Sequence, residues 1–503
     1  MDEVSIDEVG IGAAPGLAGG EPQRRGRERG REPARRPSRQ VADLPGPKGS
    51  PIMGSARAIN STRFHRVLED WGREFGPLYR FRILNRTVLV TAERELIAAL
   101  LRDRPEAMRR PSRTARMLEE MGTRGLFTVE GEEWRRQRKL VMRALTPEVI
   151  HRFFPTLVAY TERLRLRWQA AVAAGRPVDL ARDLKAYTLD VTVGLAMGQG
   201  LNSLEREDNP LQRDIEFLFK RLARRLTSPI AYWRVGLLKR AVDREADAAS
   251  ARIRQAILGF IAEARRRMAL DPALRQKPSN MLEALIAACD EDGSGFSDEV
   301  VVGNAVTMVF AGEDTTSNTM AWLIDYLARQ PREAETLAAE SARVLGAAAV
   351  LDDYRGLEQL RYLDAATREA MRLKPVAPIM ALQPNHDMAL DDVAVPAGTI
   401  IFCLLRHCAE RGGEFEQADQ FRPERWLDGA GGAGDDPARK LFPFGGGPRF
   451  CPGRYLAMAE IKMAMAMLAK NFVLEPVPGA APAEETFTFT MTPSSLPVRL
   501  RAR

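Results

Sequence analysis

A helical pattern opens at Ser297, an N-cap candidate ahead of Asp298 and Glu299, and runs without a break to about Arg329, where Pro331 stops it. At ~1.5 Å per residue such a helix is roughly 45–50 Å long, enough to cross a whole domain. Its apolar stretch, residues 300–312, is too short for a membrane span, contains Asn304, and meets Glu313 and Asp314 in mid-helix. The pattern therefore predicts a buried central helix with polar residues at its middle.

The rest of the chain reads as material to surround that helix. Helical periods dominate, and β signals are short: residues 78–90, residues 393–401 around Pro396-Ala397-Gly398, the alternation over 486–491, and residues 498–500. There is no internal repeat and no second linker. A single large, mainly helical α+β domain over residues 44–503 is therefore expected, although 503 residues could accommodate several domains. Residues 1–43, first Gly/Ala/acid-rich and then rich in Arg, Gly, Glu and Pro, read as a disordered tail. The tail contains no apolar run of signal-peptide or anchor length, which predicts a soluble protein.

With 45% hydrophobic and 28% charged residues, the composition excludes a collagenous, fully disordered or multi-span chain. A net charge of +7 is too mild for a nucleic-acid binder of this size. Four cysteines, Cys289, Cys403, Cys408 and Cys451, make neither a disulfide framework nor a zinc site, and point to a reducing, cytoplasmic location.

The sharpest segment is residues 443–454, PFGGGPRFCPGR, ahead of an apolar helix pattern. It lacks the Gly-Lys-Ser/Thr ending and the preceding strand of a phosphate-binding loop. It puts Cys451 at a helix start, where free N–H groups and the positive dipole end favour thiolate over thiol. Its glycines allow close approach to something large and flat.

Phe444, Gly447, Arg449, Cys451 and Gly453 fill the pattern F-x-x-G-x-R-x-C-x-G, which resembles the haem-ligand loop of the cytochrome P-450 family. The resemblance implies that Cys451 is the metal ligand, the axial thiolate of a b-type haem (iron protoporphyrin IX), with Phe444, Gly447 and Gly453 shaping the loop around the cofactor.

Three further matches fall in family order. Glu369 and Arg372, at i, i+3, resemble the family's E-x-x-R and with Arg425 imply a buried structural cluster, although an isolated E-x-x-R is usually a surface pair. Trp134 and Arg138, at i, i+4, resemble W-x-x-x-R and, with Arg449, imply holders of the haem propionates. Arg135, Arg136 and Lys139 read as a free basic face. Ala311-Gly312-Glu313-Asp314-Thr315-Thr316 resembles the oxygen-activation segment. There Ala311 and Gly312 are expected to let the helix approach the haem and open locally, while Thr315 and Asp314 handle protons.

One departure stands out: Leu382 or Gln383 occupies a place where the family often supplies an Arg to a propionate, and His386 reads as a substitute or as a surface turn residue. The resemblance implies a soluble, bacterial-type haem-thiolate monooxygenase that uses O2 to hydroxylate or epoxidise a lipophilic small molecule. It is expected to act as a cytoplasmic monomer without a membrane anchor or nucleic-acid partner. No residues are left over for a fused flavin or iron–sulfur domain, so NAD(P)H electrons are expected through a separate ferredoxin or flavodoxin with its reductase. The rival readings are a peroxide-driven peroxygenase, a haem-thiolate isomerase and a non-catalytic haem sensor.

Overall fold

The central helix spans Asp298–Arg329, within a residue of its expected ends. Ser297 is its N-cap in position, but its side chain makes no capping hydrogen bond. The computed structural model describes residues 37–206, 209–228, 230–291, 296–410, 415–427 and 440–503. Within it the central helix packs most extensively along Leu180–Met197, and also touches Ala241–Leu270, Met281–Asp290, Arg361–Leu373 and Arg454–Asn471. The first of these contacts explains Gly312. A Cβ there would lie 2.3 Å from Thr192 Oγ1, so only glycine lets the two helices meet this closely.

Beside the helical core lies a five-stranded sheet in the order Leu78–Ile83, Arg86–Thr91, Ile400–Leu404, Ile379–Pro384, Met108–Arg109. Arg86–Thr91 and Ile400–Leu404 run parallel, and the other neighbours antiparallel. This sheet builds its own apolar cluster with the helix Phe64–Phe75, through Leu68, Tyr79, Phe81, Leu89 and Ile401. The expected alternation at 486–491 is a hairpin of Glu485–Phe487 and Met491–Pro493. Residues 498–500 belong to Val498–Ala502, which pairs with Phe472–Pro476.

The N-terminal boundary differs from the expected one at residue 44. Arg39–Gln40 pair in parallel with Val393–Ala394, Arg39 Nε donates to Asp392 Oδ2 at 2.8 Å, and Val41 is buried. The short run Val41–Leu44 has apolar groups to bury at each end, which the Arg-rich composition before it obscured. Residues 1–36 of the expected tail lie outside the described residues.

The helix Arg454–Asn471 buries Glu460 among apolar neighbours, with Oε2 unpartnered, and burial pushes this carboxyl well above the ordinary range. A folded-state pKa above the unfolded one makes folding progressively less favourable as pH rises past the unfolded carboxyl value, about 4.3. Glu460→Gln is expected to raise Tm at pH 8, with the gain narrowing as pH falls toward 4. Thermal unfolding at several pH values checks this, and a gain independent of pH would refute it.

Candidate haem-thiolate site

Cys451 sits between the short turn Gly447–Arg449 and the helix Arg454–Asn471. Its N–H donates to the Phe444 carbonyl at 2.8 Å, which folds the loop back on itself. Gly447 has φ +62°, and a Cβ there would lie 2.1 Å from the Leu101 carbonyl oxygen. What demands glycine at that position is packing on the helix Arg94–Arg102. A Cβ at Gly453 would stand 3.9 Å from Sγ, an ordinary contact, so packing on the thiol does not demand glycine there. Cys451 is half-buried, and burial raises its pKa against the opposing pull of the Gly453 N–H, Arg138 and Arg454. Desolvation thus works against the helix-end amides that favour thiolate. A coordinating metal ion would supply the missing charge.

Across the fold, the middle of the central helix turns one face to open space. Ala311 is exposed and Thr307, Met308, Gly312 and Thr315 are half-buried, while Phe310, Glu313, Asp314 and Thr316 are buried. Spacings of three and four put the first group on one face. The helix is regular here and does not open as expected. Instead the Thr315 hydroxyl donates to the Ala311 carbonyl at 2.7 Å.

Asp314 points elsewhere: it accepts from the Thr490 hydroxyl, and Lys185 Nζ lies 3.8 Å from Oδ1. Lys185 in turn reaches Glu216, a partly exposed acid, at 3.5 Å. The sequence reading missed Lys185, Glu216 and Thr490. They are 98 or more residues from Asp314 in the chain, with Lys185 on the helix Leu180–Met197 and Glu216 on Pro210–Thr227, and no local periodicity links them.

The Cys451 loop and the Ala311 face are joined by side-chain contacts. Glu130 links Arg449, with which it pairs, to the Arg110 N–H at 3.0 Å, and the Arg110 guanidinium lies 3.7 Å over the Phe127 ring. Phe127 meets Phe489 at 6.1 Å, Phe489 stacks on Phe219 at 5.7 Å, and Phe219 meets Phe310 edge-on at 5.1 Å. This aromatic wall ends one residue from Ala311.

Cationic groups cluster at the Arg449 end. Trp134 and Arg138 share the helix Gly131–Ala144 as expected. Arg138 is buried 4.6 Å over the Phe450 ring, with Nη2 unpartnered. Arg449 lies 5.0 Å over the Trp134 ring, donates to the Val129 carbonyl at 3.0 Å and pairs with Glu130. Two members were not anticipated. Arg104 is buried with Nε unpartnered, and burial lowers its pKa to about 10; burial lowers Arg110 too, and its Nε donates to the Phe127 carbonyl at 3.0 Å. Their place beside Arg449 is set by the fold, which composition and periodicity could not reveal.

Leu382 is fully buried in its strand, and Gln383 is occupied by Ser112 and the Gly398 carbonyl. His386 is exposed, so of its two readings the surface turn residue stands.

The third constellation is complete. Arg372 Nε and Nη2 each donate to Glu369 at 2.9 Å, Arg425 Nε donates to Oε1 at 2.9 Å, and the Arg422 N–H adds a bond at 3.0 Å. Trp426 Nε1, unforeseen from the sequence, donates to Oε2 at 2.9 Å. Burial works to raise the Glu369 carboxyl, but Arg372 and these further donors hold it below its ordinary value.

The model of the cytochrome P450 family matches residues 44–499. The chain belongs to the cytochrome P450 family. It is 27% identical over 92% of its length to the self-sufficient cytochrome P450 monooxygenase CYP505AG1 of Oidiodendron maius, and spans 42% of that protein. It is 28% identical to the human mitochondrial 25-hydroxyvitamin D-1 alpha hydroxylase, covering 90% of this chain and 91% of the hydroxylase. It is 24% identical to the chloroplastic protein LUTEIN DEFICIENT 5 of Arabidopsis thaliana, over 88% of this chain and 75% of that one. These relatives are fungal, mitochondrial and plant types. Family and relatives together support cytochrome P450 monooxygenase activity.

Membership implies haem and O2, and the residues of this P450 fit them. An unpartnered buried Arg138 nitrogen, a surplus of guanidinium groups and a Trp134 indole N–H with no partner among the described residues suit an anionic group. A thiol without a disulfide partner suits iron.

Proposed function

We propose that Cys451 ligates the haem iron, that Trp134, Arg138 and Arg449 hold the propionates with Arg104 and Arg110 behind them, and that Thr315 and Asp314 handle protons. The observation carrying this reading is the run of contacts from Arg449 through Glu130, Arg110 and Phe127 to Phe489, Phe219 and Phe310, the residue before Ala311. The haem, when bound, supplies dioxygen activation, with one oxygen atom going to the organic product and the other to water. The Thr315 hydroxyl offers a proton donor beside Ala311, and Asp314 reaches solvent through Lys185 and Glu216. The substrate is a lipophilic small molecule, supported by the Phe127, Phe219, Phe310 and Phe489 wall. A screen of lipophilic compounds for shifts of the Soret band tests that class; binding confined to polar compounds would refute it.

Thr315→Ala is expected to keep haem binding and the substrate-induced spectral shift, while diverting electrons to H2O2 through misdelivered protons. The product formed per NAD(P)H should fall about tenfold or more. Unchanged coupling would remove Thr315 from the reaction.

We further assign a bacterial-type, soluble, cytoplasmic, monomeric enzyme fed by a separate ferredoxin or flavodoxin. This is supported by the absence, among the described residues, of any helix long and apolar enough to cross a membrane, and by cysteines that form no disulfide. Of the basic face expected at Arg135, Arg136 and Lys139, Arg135 is not free, since it pairs with Glu106 and Glu132, and Arg136 leans over Phe296. Lys139 and Arg143, exposed and without an acidic partner among the described residues, together with Arg454 beside exposed Tyr455, suit an acidic carrier. Reduction by an acidic ferredoxin should slow as salt rises, and Lys139→Glu/Arg143→Glu should slow it further at low salt while flattening the salt dependence, with unchanged substrate affinity. A salt-independent rate would place the docking face elsewhere.

A further inference from the structure

Arg104, Arg110 and Arg449 act on one another electrostatically, and Glu130 is the only carboxylate among the described groups that acts on all three. Glu130 immediately precedes the helix Gly131–Ala144 that carries Trp134 and Arg138. One carboxylate oxygen accepts the Arg110 N–H at 3.0 Å; the other pairs with Arg449 Nη1. Arg449 is thereby held against the Trp134 ring, with its side chain 4% exposed. A carboxylate belonging to the protein thus already sits on the guanidinium to which the proposed function gives a cofactor carboxylate.

Resting on that haem reading, we propose that Glu130 is an electrostatic counterweight to the cofactor: its fixed negative charge on Arg449 weakens the grip on the haem propionates and holds the haem reduction potential down. The sign follows from Coulomb's law. An anion near an anionic cofactor opposes its binding, and opposes still more the extra negative charge that reduction adds. The Glu130 side chain is 26% exposed, so solvent screens this charge only in part. Glu130→Gln removes the charge while keeping a carbonyl oxygen that can accept from the Arg110 N–H or from Arg449. Glu130→Asp keeps the charge on a shorter arm, and so separates charge from contact.

The test uses the haem-loaded wild type, Glu130→Gln and Glu130→Asp. Haem loss is followed by transfer to excess apomyoglobin, the midpoint potential by redox titration, and ligation by the ferrous–CO spectrum. Glu130→Gln should lose haem about threefold or more slowly than wild type and show a more positive midpoint, both differences shrinking at high salt. Glu130→Asp should resemble wild type in both measurements. Faster haem loss or a lower potential in Glu130→Gln would show that Glu130 only positions Arg449, and would overturn the proposal. So would no change, or a Glu130→Asp protein that behaves like Glu130→Gln. If the haem reading itself is wrong, the wild type fails to give the thiolate-type CO band, which is seen before any variant is compared.

Discussion

Replacing Cys451 with Ser or His is expected to abolish the ferrous–CO absorbance near ~450 nm, because that band requires a thiolate ligand. The other three cysteines provide internal controls. Cys403 lies in the strand Ile400–Leu404, fully buried, and burial pushes its thiol up to about 12. Cys408 is buried in the helix Leu405–Glu410, its S–H donating to the Leu405 carbonyl at 3.0 Å. Cys289 stands near Asp298 at the start of the central helix, where burial and the neighbouring carboxylates raise its thiol. None shares the loop that brings Arg138 and Arg454 to bear on a sulfur. Serine at 289, 403 or 408 should therefore leave the band in place. A normal band in Cys451→Ala would refute the ligand assignment outright.

The largest stability effect is expected at Glu369. Its two oxygens take bonds from Arg372, Arg425, Trp426 and the Arg422 N–H, and the side chains of Glu369 and Arg372 are fully buried. Glu369→Ala leaves the Arg372 guanidinium in the interior with only the Ala418 and Gln420 carbonyls as acceptors. Removing one partner of a buried pair costs about 3–5 kcal/mol, a large share of the ~5–15 kcal/mol that keeps a domain folded. The expected result is little soluble, haem-loaded protein, with Glu369→Gln in between because it keeps shape and acceptor but loses charge. Since Glu369 is held below its ordinary value, its contribution is present above the unfolded carboxyl pKa and fades as pH falls below it. A double substitution with Arg372→Ala should cost less than the sum of the single ones. Wild-type yield and Tm for Glu369→Ala would refute the structural role.

Why some of these features are legible in the chain and others are not comes down to range. The central helix is written locally, in an apolar period closed by Ser297 and Pro331, and the structure returns Asp298–Arg329. The Cys451 loop is marked locally by its run of glycines and prolines, of which Gly445 and Gly447 take positive φ. Trp134 and Arg138 share a face because four residues make about one turn. Glu369 and Arg372 pair for the same reason, although their burial had to be supplied by the loop carrying Arg422, Arg425 and Trp426.

Burial and long-range partners are different in kind. The Cys451 thiol responds to desolvation that no ten-residue window contains, and this opposes the helix-end amides on which the thiolate expectation rests. Glu130 and Arg449 are 319 positions apart, and Asp314 and Thr490 are 176 apart. The glycine at 312 is set by Thr192 on another helix, and that at 447 by a carbonyl at the end of a third. The helices, the Cys451 loop and the residues that share a helical face are legible in the chain because they follow from backbone geometry over a few positions. Which charges are buried together, and with what surplus, emerges from the packed fold, because the energy of a buried charge depends on everything around it.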